Sequence, residues 1–280
     1  MKSNLSQRAI TGILFVLVLL SAMWHSFASF AVLFGVISLL GLNEFYTLFK
    51  TSVIQPNRVL GLLIGALAYC SFIAFALNHN YMAWAGFSIP LVVLIFIAEL
   101  YRKTEQPFTN IALTISGIGY VILPFGLLLV ANFEESSDLT LLTRKFDIAF
   151  SFFFMLWAND TGAYFAGTKF GKHKLFERIS PKKSWEGFIG GAIAALILGY
   201  VCHLIFPDSY SLLFWLAMAL TVVIFGTLGD LAESMLKRSL GIKDSGTILP
   251  GHGGILDRFD GLLLAAPMVY FLIKAYSFLH

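Results

Sequence analysis

Charge is scarce in this chain. Lys and Arg number 19 and Asp and Glu 16 among 280 residues, or 12%, while 58% are hydrophobic. A water-soluble domain carries about 25% charged and about 45–50% apolar residues, so an ordinary soluble fold is excluded. Mean hydropathy is +0.81. Cysteine is nearly absent: Cys70 and Cys202 both lie in apolar runs and form no CxxC pair, which argues against a disulfide framework and against a zinc site. The net charge is only +3, and no basic face is interleaved with aromatics, so nucleic acid is not an expected partner. Low-complexity tracts are missing, as are inverted internal repeats of the kind many transporters carry.

What remains is apolar sequence in long runs. A membrane-spanning helix needs about 20 mostly apolar residues, and nine stretches approach that length: 10–24, 27–42, 59–77, 82–98, 109–131, 146–168, 187–206, 211–230 and 260–279. The expected fold is all-α, a polytopic integral membrane protein of about nine transmembrane helices embedded in the cell membrane. The start, MKSNLSQR before AITGILFVLVLL, also fits a signal peptide, but an uncleaved first helix is the simpler reading beside eight further spans. Cytoplasmic loops retain Lys and Arg. With the N-terminus cytoplasmic, only Arg144, Lys145 and Lys274 of the 19 basic residues fall on the far side. Three regions follow: membrane scaffold helices over 1–105, without a polar constellation; a middle helix and outer loop over 106–145; and a catalytic membrane domain over 146–280, its site facing the cytoplasm.

Polar residues in the last region stand out against that background. Asn159, Asp160 and Thr161 interrupt the sixth stretch, and an ionisable group at membrane depth is costly enough that function is its default reading. The competing reading is a polar contact between helices. Downstream, SPKKSWEG spans Ser180 to Gly187; Pro181 fixes a turn, and Lys182 and Lys183 offer cations to phosphate or serve only as the positive-inside signal. Gly190 and Gly191 read as close helix packing. If the eighth helix continues past the bilayer, Asp230, Ser234, Lys237 and Arg238 share one stripe. Leu212 to Asp230 rises about 27 Å at ~1.5 Å per residue, which puts Asp230 at the cytoplasmic edge and both cations further into water.

The densest segment is KDSGTILPGHGGILDRFDG, Lys243 to Gly261. Its glycines permit close backbone approach and Pro250 stiffens it. His252 could orient a phosphate or a carboxylate, or cap the loop. Asp257 and Asp260, spaced i, i+3 at a helix start, project on one face. Favourable interaction with the helix dipole, about 0.3–1 kcal/mol, explains one such acid. Two acids beside a Gly-rich basic loop suit Mg²⁺ on a polyphosphate, since Mg²⁺ takes one or two carboxylates plus substrate oxygens.

Ser234 to Asp260, SMLKRSLGIKDSGTILPGHGGILDRFD, resembles the signature of the phosphatidate cytidylyltransferases, or CDP-diglyceride synthases. Ser234, Lys237, Arg238, Lys243, Asp244, Pro250, His252, Gly253, Gly254, Asp257, Arg258 and Asp260 stand in the family's spacing, and NDTGAY and SPKKSWEG are similar to its pattern. The N-terminal half matches only as a run of spans. The resemblance implies transfer of CMP from CTP to phosphatidic acid with Mg²⁺ and room for a second cation of unidentified kind. Asp230, Lys237, Asp257 and Asp260 would be catalytic, with Asp230, Asp257 and Asp260 on metal. Asp160, Lys182, Lys183, Ser184, Ser234, Arg238, Lys243, His252, Gly253, Gly254 and Arg258 would bind substrate. CTP and bilayer phosphatidate are the implied partners; the sequence leaves assembly state, homodimer included, open.

Two other functions compete. A membrane transporter also carries intramembrane acids, but here the acids cluster toward one face. A CDP-alcohol phosphotransferase pairs membrane helices with aspartates too, yet its DG followed by AR is missing: Asp260 and Gly261 lead into Leu262, Leu263, Leu264 and Ala265.

Overall fold

Inside a bilayer every backbone polar group must be satisfied within the protein, which leaves helices as the solution for an apolar chain of this kind. The computed structural model describes residues 2–49, 53–77, 88–132, 147–246 and 253–279. Over them run α1 (Lys2–His25), α2 (Phe27–Thr47), α3 (Arg58–Leu77), α4 (Ser88–Tyr101), α5 (Pro107–Gly117), α6 (Leu123–Ala131), α7 (Asp147–Phe170), α8 (Trp185–Ile205), α9 (Leu212–Ser239) and α10 (Leu256–Leu279). A π-helical turn, Ile118–Ile122, joins α5 to α6. There the N–H of Leu123 reaches back five residues to the Ile118 carbonyl, and Pro124, next in line, has no N–H to restore the ordinary pattern.

Each expected stretch has a helix over it, and the protein is an all-α polytopic membrane protein. Among the described residues six helical runs are long and apolar enough to cross a membrane: α2, α3, α5 through α6, α8, α9 and α10. Thr11–His25 and Pro90–Tyr101 are shorter. The polar interruption at Asn159 to Thr161 keeps α7 out of that set, so length and composition do not establish nine crossings. The break between α1 and α2 is a capping box: Ser26 Oγ accepts the Ser29 N–H at 3.1 Å, and the Ser26 N–H donates to Ser29 Oγ at 3.0 Å. One segment departs from the all-helical expectation. The SPKKSW region, read from sequence as a loop, is a small antiparallel hairpin of β1 (Lys174–Phe176) and β2 (Ser180–Ser184).

The chain divides into two compact units. The first comprises Met1–Arg144 with Asp244–Phe259, the second Lys145–Lys243 with Asp260–His280. In the first, aromatic rings fill the core: Phe125 lies 5.8 Å from Phe34 and 5.2 Å from Phe259, centroid to centroid, and Phe15 meets Phe259 edge-on at 5.6 Å. The second is built on α7 against α8, where small residues let backbones meet. A methyl group added at Gly162 would come within 2.7 Å of the Gly190 carbonyl oxygen. Such contact is the usual means of helix association in lipid, and it is the packing role expected of Gly190.

Candidate active site

In the second unit the hairpin, α7, α8 and α9 enclose a cavity of about 310 Å³ whose wall includes Asn159, Asp160, Lys182, Lys183, Ser184 and Asp230. Its size is at the lower end for small-molecule sites, about 300–1,000 Å³. Ser184 aims the lysines. It is the N-cap of α8, its hydroxyl accepting the Gly187 N–H at 3.1 Å, so the end of β2 is pinned to the helix that follows. Glu186, in the first turn of α8, accepts the Lys172 N–H at 3.1 Å and pairs with His173 Nδ1 at 2.6 Å, tying down the other end of the hairpin.

So held, Lys183 places its ammonium 2.5 Å from Asp230 Oδ2. Ser234, one turn along α9, donates to Asp230 Oδ1 at 3.3 Å. Both partners of the ion pair are partly open, at 27% and 36% side-chain exposure. Asp160 and Lys182 are exposed at the same cavity. Asp260 belongs to this unit as well. Its Oδ1 accepts the Gly261 N–H at 2.7 Å, its carboxyl lies in the fields of Asp230, Glu233 and Asp160, and its backbone carbonyl packs directly on Gly229, leaving no room for a side chain there.

Lys237 departs from the expected stripe. Rather than reaching water it is buried, and its ammonium pairs with Glu233 at 2.8 Å, where Glu233 is only 1% exposed. The reason is geometric: i, i+4 partners meet on a helix, and Glu233 offers Lys237 a nearer carboxylate than Asp230, which is two turns away. Arg238 is exposed, one guanidinium nitrogen donating to the Ile242 carbonyl at 3.2 Å. Lys243 is exposed at the edge of this unit.

The rest of the signature lies in the first unit. Gly253 has φ +84, a region that L side chains rarely adopt. Asp257 Oδ2 accepts the N–H groups of Ser245 at 3.0 Å and Gly254 at 2.8 Å, bracing the chain on either side of residues 247–252. Arg258 is exposed. His252 and Pro250 lie outside the described residues.

The sequence profile of the cytidylyltransferase family matches residues 6–276. The chain belongs to the cytidylyltransferase family. One relative spans it almost end to end: the phosphatidate cytidylyltransferase of Bacillus subtilis is 32% identical over 276 residues, 98% of this chain and 99% of that one. That of Staphylococcus saprophyticus is 42% identical over 188 residues, 65% and 68% of the two chains. That of Staphylococcus haemolyticus is 51% identical over 123 residues, 43% and 46%. Membership makes the protein a nucleotidyltransferase and leaves the transporter reading without support.

Three acids have no place in the sequence-based expectations: Glu233, Glu44 and Glu99. Glu233 was passed over inside the stripe assigned to Asp230, although its spacing to Lys237 was a usable signal. Glu44 lies in the scaffold region that was expected to hold no polar constellation. It is buried, and it accepts the Ile255 N–H at 2.7 Å, the Leu256 N–H at 3.3 Å and the Ser245 hydroxyl. A second cluster in that region joins Glu99 to Thr104 at 2.7 Å and Asn110 at 2.8 Å. A carboxylate buried in an apolar run was itself the signal, by the same cost that drew attention to Asp160.

Proposed function

We propose that the protein transfers CMP from CTP to phosphatidic acid, releasing pyrophosphate and leaving CDP-diacylglycerol in the bilayer. The observation that carries this reading is the Lys183–Asp230 pair on a charged cavity in a chain that matches the cytidylyltransferase family over nearly its whole length. A phosphatidate oxygen, already ionised at neutral pH, attacks the α-phosphorus of CTP; the bond to the bridging oxygen of the β-phosphate breaks, and that oxygen leaves on pyrophosphate. No general base is required. Catalysis then rests on positioning and on cancelling charge.

Lys183 and Lys182 suit the polyphosphate. An ion pair open to water is worth only about 0–1 kcal/mol, and this one is partly open, so Lys183 can exchange Asp230 for a phosphate at modest cost, freeing Asp230 for a cation. Asp230 and Asp260 are the carboxylates that would hold Mg²⁺, and the negative field of Asp160 and Glu233 at Asp260 is of the kind a divalent cation neutralises. Mg²⁺ takes one or two carboxylates and completes its shell from substrate oxygens and water. Bound there, Mg²⁺ would supply charge stabilisation between attacking and leaving oxygens. Lys237, held by Glu233, adds a fixed positive charge one turn beyond Ser234.

The bias of Lys and Arg supports a site facing the cytoplasm, and the bacterial source of the relatives supports a plasma-membrane location; a reporter fused after His280 is expected to be active only outside the cytoplasm. The decisive assay incubates purified protein with labelled CTP, phosphatidic acid in mixed micelles and Mg²⁺. Label should enter a lipid product in proportion to pyrophosphate released. Pyrophosphate without labelled lipid, or no turnover at all, would sink the proposal.

A further inference from the structure

Glu44 is 2% exposed near the end of an otherwise apolar α2. Burying a carboxylate in such a helix is costly, and its partners show what the cost secures. Among the described residues, the hydrogen bonds on its side chain come from the signature segment: Ile255 N–H on Oε2 at 2.7 Å, Leu256 N–H on Oε1 at 3.3 Å, and the Ser245 hydroxyl on Oε1. The first two are among the N–H groups that the start of α10 leaves without an intrahelical acceptor. The third lies on the other flank of residues 247–252. One carboxylate therefore ties both flanks together.

The surroundings are shaped to admit it. A methyl group at Gly254 would overlap Glu44 Oε1 and Ser245 Oγ, and one at Gly246 would stand 2.9 Å from the Glu44 carboxyl carbon. Asp257 takes the remaining donors, the N–H groups of Ser245 and Gly254. Ser245 is thus held twice, by its hydroxyl to Glu44 and by its N–H to Asp257.

We propose that Glu44 is a positioning residue for CMP transfer: its carboxylate fixes Ser245 and the start of α10, and through them sets Gly253, Gly254 and Asp257 in working position. The inference rests on the transferase reading for why that segment matters. Glu44 itself acts through Ser245 and the start of α10 and touches no substrate.

Both carboxylate oxygens accept N–H donors, so Glu44→Gln sets its own NH₂ against one of them while keeping size. In purified, monodisperse protein, E44Q is expected to lower kcat about 10- to 100-fold, the cost of one or two buried donors left unsatisfied. KM for CTP should stay within about threefold, as for an interaction made in the transition state rather than on binding. Amide exchange in a peptide covering 253–260 should quicken, while a peptide from α8 stays unchanged. Glu44→Asp should fall between wild type and E44Q in kcat. Should E44Q fail to fold, E44D and Ser245→Ala carry the test, with graded kcat losses supporting the role. Wild-type kcat in whichever of these variants folds, or a loss matched by the folded fraction alone, overturns it. Inactive wild-type protein would sink the transferase reading instead, and unchanged exchange at 253–260 in a folded variant would still reject the contact by itself.

Discussion

Asp230 and Glu44 are both acids in largely apolar helices, and their surroundings differ in kind. Asp230 is 36% exposed and shares its oxygens with two side chains, Lys183 and Ser234. Glu44 is 2% exposed, and backbone N–H groups engage both of its oxygens. Side-chain partners in partial contact with water can be traded for a ligand, because the pair is weak and its members can turn. Backbone donors of a helix start cannot turn away without unwinding the helix. Exchangeable partners thus suit the substrate-handling role proposed for Asp230, and backbone partners suit the framing role proposed for Glu44. The Glu233–Lys237 pair combines both properties, with side-chain partners in a buried setting, and so fixes a charge without offering it to solvent.

The largest effect should come from the exchangeable side. Asp230→Asn and Asp260→Asn each keep shape and remove the charge a hard cation prefers, so CTP-dependent transfer should fall by about 10³-fold or more, the scale of losing a main electrostatic contribution. Both proteins should still insert and purify as wild type. A Mg²⁺ titration distinguishes the two: half-maximal activation should move to higher Mg²⁺ in whichever variant keeps measurable turnover. Near-normal rate in either variant removes that residue from the cation site.

Next is the buried pair. Removing one member of a buried ion pair costs about 3–5 kcal/mol, so Lys237→Met should lower the thermal midpoint sharply, and Glu233→Gln should do likewise. Combined, the two changes replace a charge pair by neutral groups, and the midpoint should largely return. If Lys237 contributes to catalysis as its place in the signature implies, kcat will not return with it. Recovery of both would show the pair to be structural only.

How much of this was legible in the sequence follows the same division. The helices were readable because apolar length is what a bilayer demands, and Asp160, Asp230 and SPKKSWEG were readable because polar groups contrast with such surroundings. The hairpin was not, since strands of three and five residues carry too little periodicity to separate from a loop. The burial of Lys237 against Glu233 was not legible, because a shared stripe says which residues align, and only distance decides which of them pair. Glu44 went unread because its partners, Ser245, Ile255 and Leu256, lie some two hundred positions away, and no local spacing announces a contact of that range. The i, i+3 relation of Asp257 to Asp260 was legible as a candidate metal pair, whereas the Ser245 and Gly254 amides on Asp257 Oδ2 were not.

Gly254→Ala tests the frame from its other side. Its added methyl would meet the Glu44 carboxylate and the Ser245 hydroxyl, and overpacking of this kind costs about 1–3 kcal/mol. A lower thermal midpoint and a roughly tenfold or greater fall in kcat are expected. Pairing it with Glu44→Ala, which makes space, should recover part of the midpoint but not the rate. Full recovery of the rate would mean that the Glu44 contacts are dispensable once the clash is gone.

The smallest effects should come from Lys182 and Lys183, and they sharpen the comparison because the two neighbours differ in one respect. Lys182 is exposed at the cavity, whereas Lys183 is half-buried with its ammonium on Asp230. Loss of binding shared by ground and transition states raises KM with little change in kcat, so Lys182→Ala is expected to raise KM for CTP about three- to tenfold, roughly the worth of one solvated charge on a phosphate. That rise should shrink as salt increases, since the Debye length falls from about 10 Å at 0.1 M to about 3 Å at 1 M. Lys183→Ala removes the same charge but also leaves Asp230 without its counter-charge, so KM should rise while half-maximal Mg²⁺ activation moves to lower concentration. Both series need saturating phosphatidic acid in mixed micelles, so that surface dilution does not imitate weak binding. If Lys183→Ala leaves the Mg²⁺ dependence where Lys182→Ala leaves it, the exchange of Asp230 between lysine and cation is wrong, and the pair serves only to hold the hairpin against α9.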